Sequence, residues 1–202
     1  AQTLQRFMDT MFRDVPYASA YLDDIIVAST NNHTHSEHLH KVLTILNDNN
    51  LQINLDKCSF FQERIRFLGH ILSASGSEPF PERLDVIRRF PLPTTVTQLR
   101  SFLGTVDYCH RFIHNSSNLT APLSALNKGH KNTVITWTAR SHQAFEIVKD
   151  SLSNIHTLHY PSPDLPYTLT TDASDIAAGA VLHQLKDSTP QPIEFFSRKF
   201  SI

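Results

Sequence analysis

Two short runs of strand-forming residues, Tyr17 to Tyr21 and Ile25 to Ser29, flank the adjacent carboxylates Asp23 and Asp24 in the stretch YLDDIIVA. The β-branched and aliphatic residues on either side ask for a half-buried sheet position, whereas two neighbouring like charges do not. The pattern therefore predicts a β-hairpin with the carboxylates at its tip. The turn lacks the favoured Asn-Gly pair, although Asp tolerates positive φ better than most residues.

Around this hairpin the periodicity switches to helical. Leu4, Phe7, Met8 and Met11 recur at helical spacing and predict an amphipathic helix over residues 2–13. Thr34-His-Ser-Glu37 has the form of a capping box and precedes Leu39, Val42, Leu43 and Leu46, with Asn49-Asn50 as the stop. Leu51, Ile53 and Leu55 alternate as a strand leading to Lys57, and Ile65 to Leu72 reads as a strand pair around Gly69. Strands and helices in this order predict an α+β architecture, with helices packed on one face of an antiparallel sheet.

The middle of the chain is punctuated by proline. Pro79 and Pro81 are expected to open a helix running through Phe90, and Pro91 and Pro93 to break it. Thr97 is expected to cap a second helix carrying Leu99, Phe102, Leu103 and Val106, with Arg83, Arg88, Arg89, Arg100 and Arg111 available for the outer surface. From Trp137 a helix with Ala144, Val148 and Leu152 is expected, followed by strands near 169–171, 180–182 and 193–196.

Charge divides the chain in the same way. Residues 1–56 hold 3 Lys/Arg against 7 Asp/Glu, residues 57–131 hold 10 against 5, and residues 132–202 hold 5 against 7. A basic block between two acidic ones is compatible with gripping phosphates and equally with ordinary surface composition. No apolar run approaches the roughly 20 residues of a membrane helix, and AQTLQRFMD lacks the plan of a signal peptide. The absence of an initial Met suggests a fragment or processed piece, and two cysteines, Cys58 and Cys109, suggest a reducing compartment.

The Asp pair can be read as a polar turn. Yet two carboxylates about 4 Å apart repel by about 1 kcal/mol in bulk water and more where partly desolvated, a cost that Asn or Gly would avoid. A divalent cation removes it. Mg²⁺ takes hard oxygen ligands, needs only one or two carboxylates and leaves room for substrate phosphates. The clustered His33, His35, His38 and His40 with Glu37 offer an alternative metal site, but their alternation does not place three on one helical face.

Six blocks carry a resemblance: AQTLQRFMD, YLDDIIVAS, INLDKCSF, FLGHILS, PLPTTVTQLRSFLGTVDYCHRFI and YTLTTDAS. In this order they resemble the Pol proteins of gypsy-type LTR retrotransposons, where reverse transcriptase runs into ribonuclease H. The resemblance implies a partial polymerase palm over residues 1–79, a small helical thumb over 80–131, and a connection with a truncated ribonuclease H-like sheet over 132–202. It implies an RNA-directed DNA polymerase with hybrid-directed ribonuclease, acting by two-metal nucleotidyl transfer with Mg²⁺ or Mn²⁺.

Residue by residue, the resemblance makes Asp23 the principal metal ligand and Asp24 the weaker one, with Tyr21 near the template–primer. Gln2 and Gln5 become minor candidates beside the incoming nucleotide. Lys57 matches a lysine proposed to protonate pyrophosphate, although a solvated strand-end lysine reads equally well. Phe67, Leu68, Gly69 and His70 match the primer grip, with Gly69 allowing close backbone approach or marking a bulge. Arg100 and Arg111 match positions that meet the phosphates of an A-like hybrid. Tyr108-Cys109-His110-Arg111 keeps one aromatic and one permanent charge where the family often has two of each. Asp172 matches the first ribonuclease H metal ligand, whereas Asp175 reads as a turn-stabilising residue and Glu194 does not match the family's catalytic Glu.

The implied partners are an RNA template, a DNA primer, RNA–DNA hybrid, dNTP and the remainder of the Pol polyprotein, with no membrane. The implied location is a cytoplasmic virus-like particle, with the nucleus as the alternative. The family takes a further palm Asp from an upstream strand and further ribonuclease H carboxylates from downstream, so the isolated chain is expected to be inactive. The alternative function is a relic or co-opted fragment that binds nucleic acid without catalysis.

Overall fold

A computed structural model describes residues 1–152, 155 and 157–200. Ser153, Asn154, His156 and the end of the third expected segment, Ser201 and Ile202, lie outside the described residues. Helices mix with antiparallel sheets, as expected from the order of elements. The chain divides into two compact units, Ala1–Leu68 and Gly69–Ile202. Among the described residues no helix is long and apolar enough to cross a membrane.

The first unit is built on the hairpin of β1 (Ala18–Tyr21) and β2 (Asp24–Val27), with Tyr21 opposite Asp24. Helix α1 (Gln2–Met11) and helix α2 (Asn32–Asp48) supply the apolar cover. Met8, Phe12, Val15, Val42 and Leu46 are buried together, with Ala18, Ala20, Ile25 and Val27 packed against them. Leu4 and Phe7 remain exposed, so the buried stripe of α1 is narrower than its periodicity suggests.

Two expectations in this unit are corrected. The cap of α2 is Asn31, whose side chain accepts from the Thr34 N–H at 2.9 Å, so the helix begins one turn before the expected capping box. The predicted strand at Leu51–Leu55 is absent. Asn54 accepts from the Asp56 N–H at 3.1 Å and turns the chain into a 3₁₀ segment, Leu55–Lys57. An Asx turn competes directly with strand pairing, and Leu55, 68% exposed, gains nothing from alternation. The stop of α2 is as expected, with Asn50 at φ 56° just past the Asn49 cap. Strand β3 (Arg64–Phe67) closes the unit.

The second unit opens with β4 (His70–Ser73) paired to β5 (Gly76–Pro79). Pro79 ends β5 rather than opening a helix. Pro81 begins α3 (Pro81–Arg88), where a missing N–H costs nothing, and the helix ends before Phe90. Helix α4 (Val96–Tyr108) is capped by Thr95, not Thr97, whose hydroxyl donates to the Lys131 carbonyl at 2.6 Å. After a 3₁₀ turn, His110–Phe112, come α5 (Ser116–Leu126) and α6 (Ala139–Ser151), the latter with a Thr138–Ser141 capping box. Helix α5 was not foreseen because Pro122 sits inside it; burial of Leu123 holds the segment helical.

The core of these helices gathers Ile87, Leu99, Phe102, Val106, Phe145 and Val148, all essentially solvent-free. Strands β6 (Tyr167–Ala173), β7 (Ala177–Lys186) and β8 (Thr189–Lys199) form an antiparallel sheet in that order, at the places expected but longer. Asp187 and Ser188 both have positive φ in the β7–β8 turn, and Pro190 and Pro192 are tolerated because β8 is an edge. One face of the sheet is covered where Phe195 buries against Phe112 and Leu158, while Leu169 and Phe196 stay exposed.

Candidate active site and nucleic-acid interface

In the first unit the hairpin tip is presented to solvent. Tyr21, Asp23 and Asp24 are exposed, with Tyr21 at 54%. Asp23 lies in the turn and Asp24 is the first residue of β2. The positive φ falls on Leu22, at 55°, and neither Asp carries it. A positive angle at the first central position is what a type II′ hairpin turn requires, and glycine is its usual occupant.

A side chain from α1 holds this turn. The Leu22 N–H donates to Gln5 Oε1 at 2.7 Å, and Gln5 Nε2 donates to the Ala20 carbonyl at 3.0 Å and to Asp9 Oδ1 at 2.7 Å. The amide thus satisfies backbone groups on both sides of Tyr21. Gln2, one turn earlier, is exposed. At the other end of β2, Ser29 Oγ contacts His35 Nδ1 at 3.0 Å and His38 Nδ1 at 2.8 Å, and His38 stacks on Tyr17. These histidines tie strand to helix. Lys57 is exposed at the end of its 3₁₀ segment.

The donor set at the hairpin fits a hard divalent cation: two exposed carboxylates with solvent access for further oxygen ligands. Among the described residues no group of three or more His, Cys, Asp or Glu could hold a metal ion. Asp23 and Asp24 therefore offer part of a coordination shell.

Phe67 and Leu68 end the first unit, and Gly69 and His70 begin the second. Leu68 has φ 47° and Gly69 has φ 85°. The Tyr108 hydroxyl, at the end of α4, donates to the Gly69 carbonyl at 2.6 Å. Beside it run alternating rings and cations. Arg83 lies 4.1 Å over the Tyr108 ring, Tyr108 stacks on His70, His70 meets Phe112, and the Arg111 guanidinium lies 5.7 Å from the Phe112 ring. Burial holds the His70 imidazole below its ordinary pKa, with Arg111 and Arg83 adding to the effect. Among the described residues, His70 Nδ1 and Arg111 Nε are buried without hydrogen-bond partners.

Arg100 is exposed but engaged within its own unit: Nε donates to Asn127 Oδ1 at 2.7 Å and a terminal nitrogen to the Gly129 carbonyl at 3.4 Å. Asp172 is exposed near the end of β6, opposite Gly179. The sequence named Tyr108 only as an aromatic and Arg83 only as a surface charge. No local signal marks either, since their partners lie far along the chain.

The family described as reverse transcriptase (RNA-dependent DNA polymerase) matches residues 2–72. The RNase H-like domain found in reverse transcriptase matches residues 137–202. The chain is 37% identical over 199 residues to the retrovirus-related Pol polyprotein from transposon 297 of Drosophila melanogaster, covering 97% of this chain and 18% of that protein. It is 36% identical over 200 residues to the transposon Tf2-3 polyprotein of Schizosaccharomyces pombe, covering 98% and 15%. The chain thus spans less than a fifth of the length of these two curated relatives. Among solved structures, the foamy viral protease-reverse transcriptase in complex with RNA/DNA hybrid matches with a TM-score of 0.83 at 23% identity, covering 97% of this chain and 26% of that one. A second form, in complex with double-stranded DNA, matches at 0.85 and 23%, covering 99% and 35%. At that identity the likeness concerns the fold.

Proposed function

As a homologue of retrotransposon Pol polyproteins, this chain joins a reverse transcriptase segment to an RNase H-like segment, and from that premise we propose that it forms the catalytic hairpin, primer grip and thumb of an RNA-directed DNA polymerase. The observation that carries this reading is the exposed Asp23-Asp24 pair on a hairpin whose turn is clamped by Gln5. Residues 1–79, 80–131 and 132–202 are assigned as palm, thumb and connection with RNase H-like sheet.

In this reading Asp23 and Asp24 would hold Mg²⁺ or Mn²⁺, which would supply Lewis-acid chemistry at the attacking and leaving oxygens. The chain's own contributions are positional. Gln5 fixes the turn, Tyr21 offers an exposed ring to the template–primer, and Lys57 offers an exposed ammonium to the departing pyrophosphate. The basic and aromatic residues about Gly69 face the phosphates of an RNA–DNA hybrid, and Asp172 serves the RNase H-like site. Two carboxylates fill only part of such an ion's shell and leave the remaining positions to water and substrate oxygens. By family likeness the work takes place in a cytoplasmic particle.

The test is primer extension on an RNA template by the Pol polypeptide containing these residues, wild type against Asp23→Asn. Template-directed extension that disappears in the variant supports the reading. Hybrid binding with no extension in either protein would point instead to a non-catalytic nucleic-acid-binding relic.

A further inference from the structure

The Tyr108 phenol makes two ring contacts besides its bond to Gly69. The Arg83 guanidinium from α3 sits 4.1 Å over its ring, and the His70 imidazole from β4 stacks within 12° of parallel at 5.6 Å. These two contacts restrain the ring that carries the hydroxyl. The acceptor is the carbonyl of Gly69 at 2.6 Å. Because the peptide is planar, a fixed carbonyl also fixes the direction of the following His70 N–H.

Glycine is required at this point on two grounds. The backbone stands at φ 85°, a region that L side chains rarely adopt. A Cβ would also overlap the Tyr108 hydroxyl oxygen. Two residues 39 apart in sequence therefore form one latch. Near it, His70 Nδ1 and Arg111 Nε are buried with no hydrogen-bond partner among the described residues, which leaves this cluster with unused polar capacity there.

We propose that Tyr108 is a positioning residue for the Gly69–His70 turn: its hydroxyl sets the direction of that peptide, and thereby how the turn meets the backbone of a primer strand. The proposal rests on the reading of residues 67–70 as a primer-contacting turn. Tyr108 itself need not touch the nucleic acid; it acts through Gly69.

The test is Tyr108→Phe in the 202-residue chain, which removes the hydroxyl and keeps the ring in contact with Arg83 and His70. Two readouts are needed: the carbonyl carbon resonance of Gly69 by NMR, and affinity for RNA–DNA hybrid with a recessed or a blunt primer end. The resonance is expected to move, affinity for the recessed hybrid to fall roughly five- to tenfold for one lost hydrogen bond, and preference for recessed over blunt ends to disappear. Amide protection at Phe102 and Phe145 should be unchanged, which separates positioning from loss of fold. An unmoved Gly69 resonance overturns the latch. A moved resonance with unchanged affinity and end preference overturns the positioning role while leaving the latch structural. A wild-type chain that binds no hybrid overturns the reading of residues 67–70, and the proposal with it, whatever the Gly69 resonance does.

Discussion

Gln5 accepts a hydrogen bond from the backbone N–H of Leu22 at 2.7 Å, and Leu22 is the residue of the YLDD turn that carries a positive φ of 55°. A strained position and its clamp thus lie in two different elements. Removing the clamp should free the turn more than it destabilises the chain. Gln5→Ala is expected to cost about 1–2 kcal/mol, the loss of hydrogen bonds to partly buried backbone groups. Amide exchange at Leu22 should rise more than at Val42 or Leu46; equal increases would place the clamp's role in general packing.

Leu22 tests the strain from the other side. Leu22→Gly relieves the left-handed backbone but loosens the unfolded chain, so the two effects should cancel to within about 1 kcal/mol. Leu22→Val should destabilise, because a β-branched residue tolerates positive φ poorly. Urea midpoints of both variants check this; a Val variant as stable as wild type would deny the strain.

At Gly69, substitution meets the Tyr108 oxygen as well as an unfavourable φ. Gly69→Ala should therefore destabilise by about 2 kcal/mol or more, combining backbone strain with a steric clash. In the Tyr108→Phe background the clash is smaller, and the cost of Gly69→Ala should drop by a measurable part. Additivity of the two substitutions would show that they do not interact.

His70 predicts a pH dependence with a definite sign. Its folded-state pKa lies below the ordinary value of 6.5, chiefly through burial, with Arg111 and then Arg83 adding repulsion; Tyr108 and Phe112 are the rings that face it. Protonation therefore favours the unfolded chain. Its stabilising contribution is complete above pH 6.5 and is lost as pH falls from there through the folded pKa. His70→Gln should flatten the fall in stability between neutral and mildly acidic pH, measured by denaturant unfolding. A slope identical to wild type would assign the loss to other groups.

Metal binding should centre on the hairpin. Titration with Mg²⁺ or Mn²⁺ should perturb resonances of residues 21–25, with affinity on the order of a millimolar or weaker for two carboxylates and solvent. Asp23→Asn should weaken it further. Perturbation centred on His33–His40 instead would sink the assignment. For nucleic acid, Arg111→Ala should flatten the slope of log affinity against log salt by up to about 0.9. Arg100→Ala should flatten it less, because that guanidinium is engaged by Asn127 and Gly129.

Local chemistry made much of this chain legible from its sequence. The alternating runs around Asp23-Asp24 specify the hairpin, helical spacing of Leu99, Phe102 and Val106 specifies α4, and the ordered motif blocks point to the family that residues 2–72 and 137–202 match. Each of these signals is carried by neighbours within a few turns. Tertiary structure decided the rest, where the partners lie far apart. It put the positive φ on Leu22 because Gln5, 17 residues away, holds that N–H. It kept α5 helical through Pro122 because Leu123 has a core to enter, turned Arg100 toward Asn127, and brought Tyr108 onto Gly69. A helix or hairpin is selected by energies that residues close in sequence share, whereas a latch exists only after the chain has closed a loop and lost the entropy of doing so. For that reason candidate residues could be proposed in order along the chain, but what holds them in place appears only in the fold.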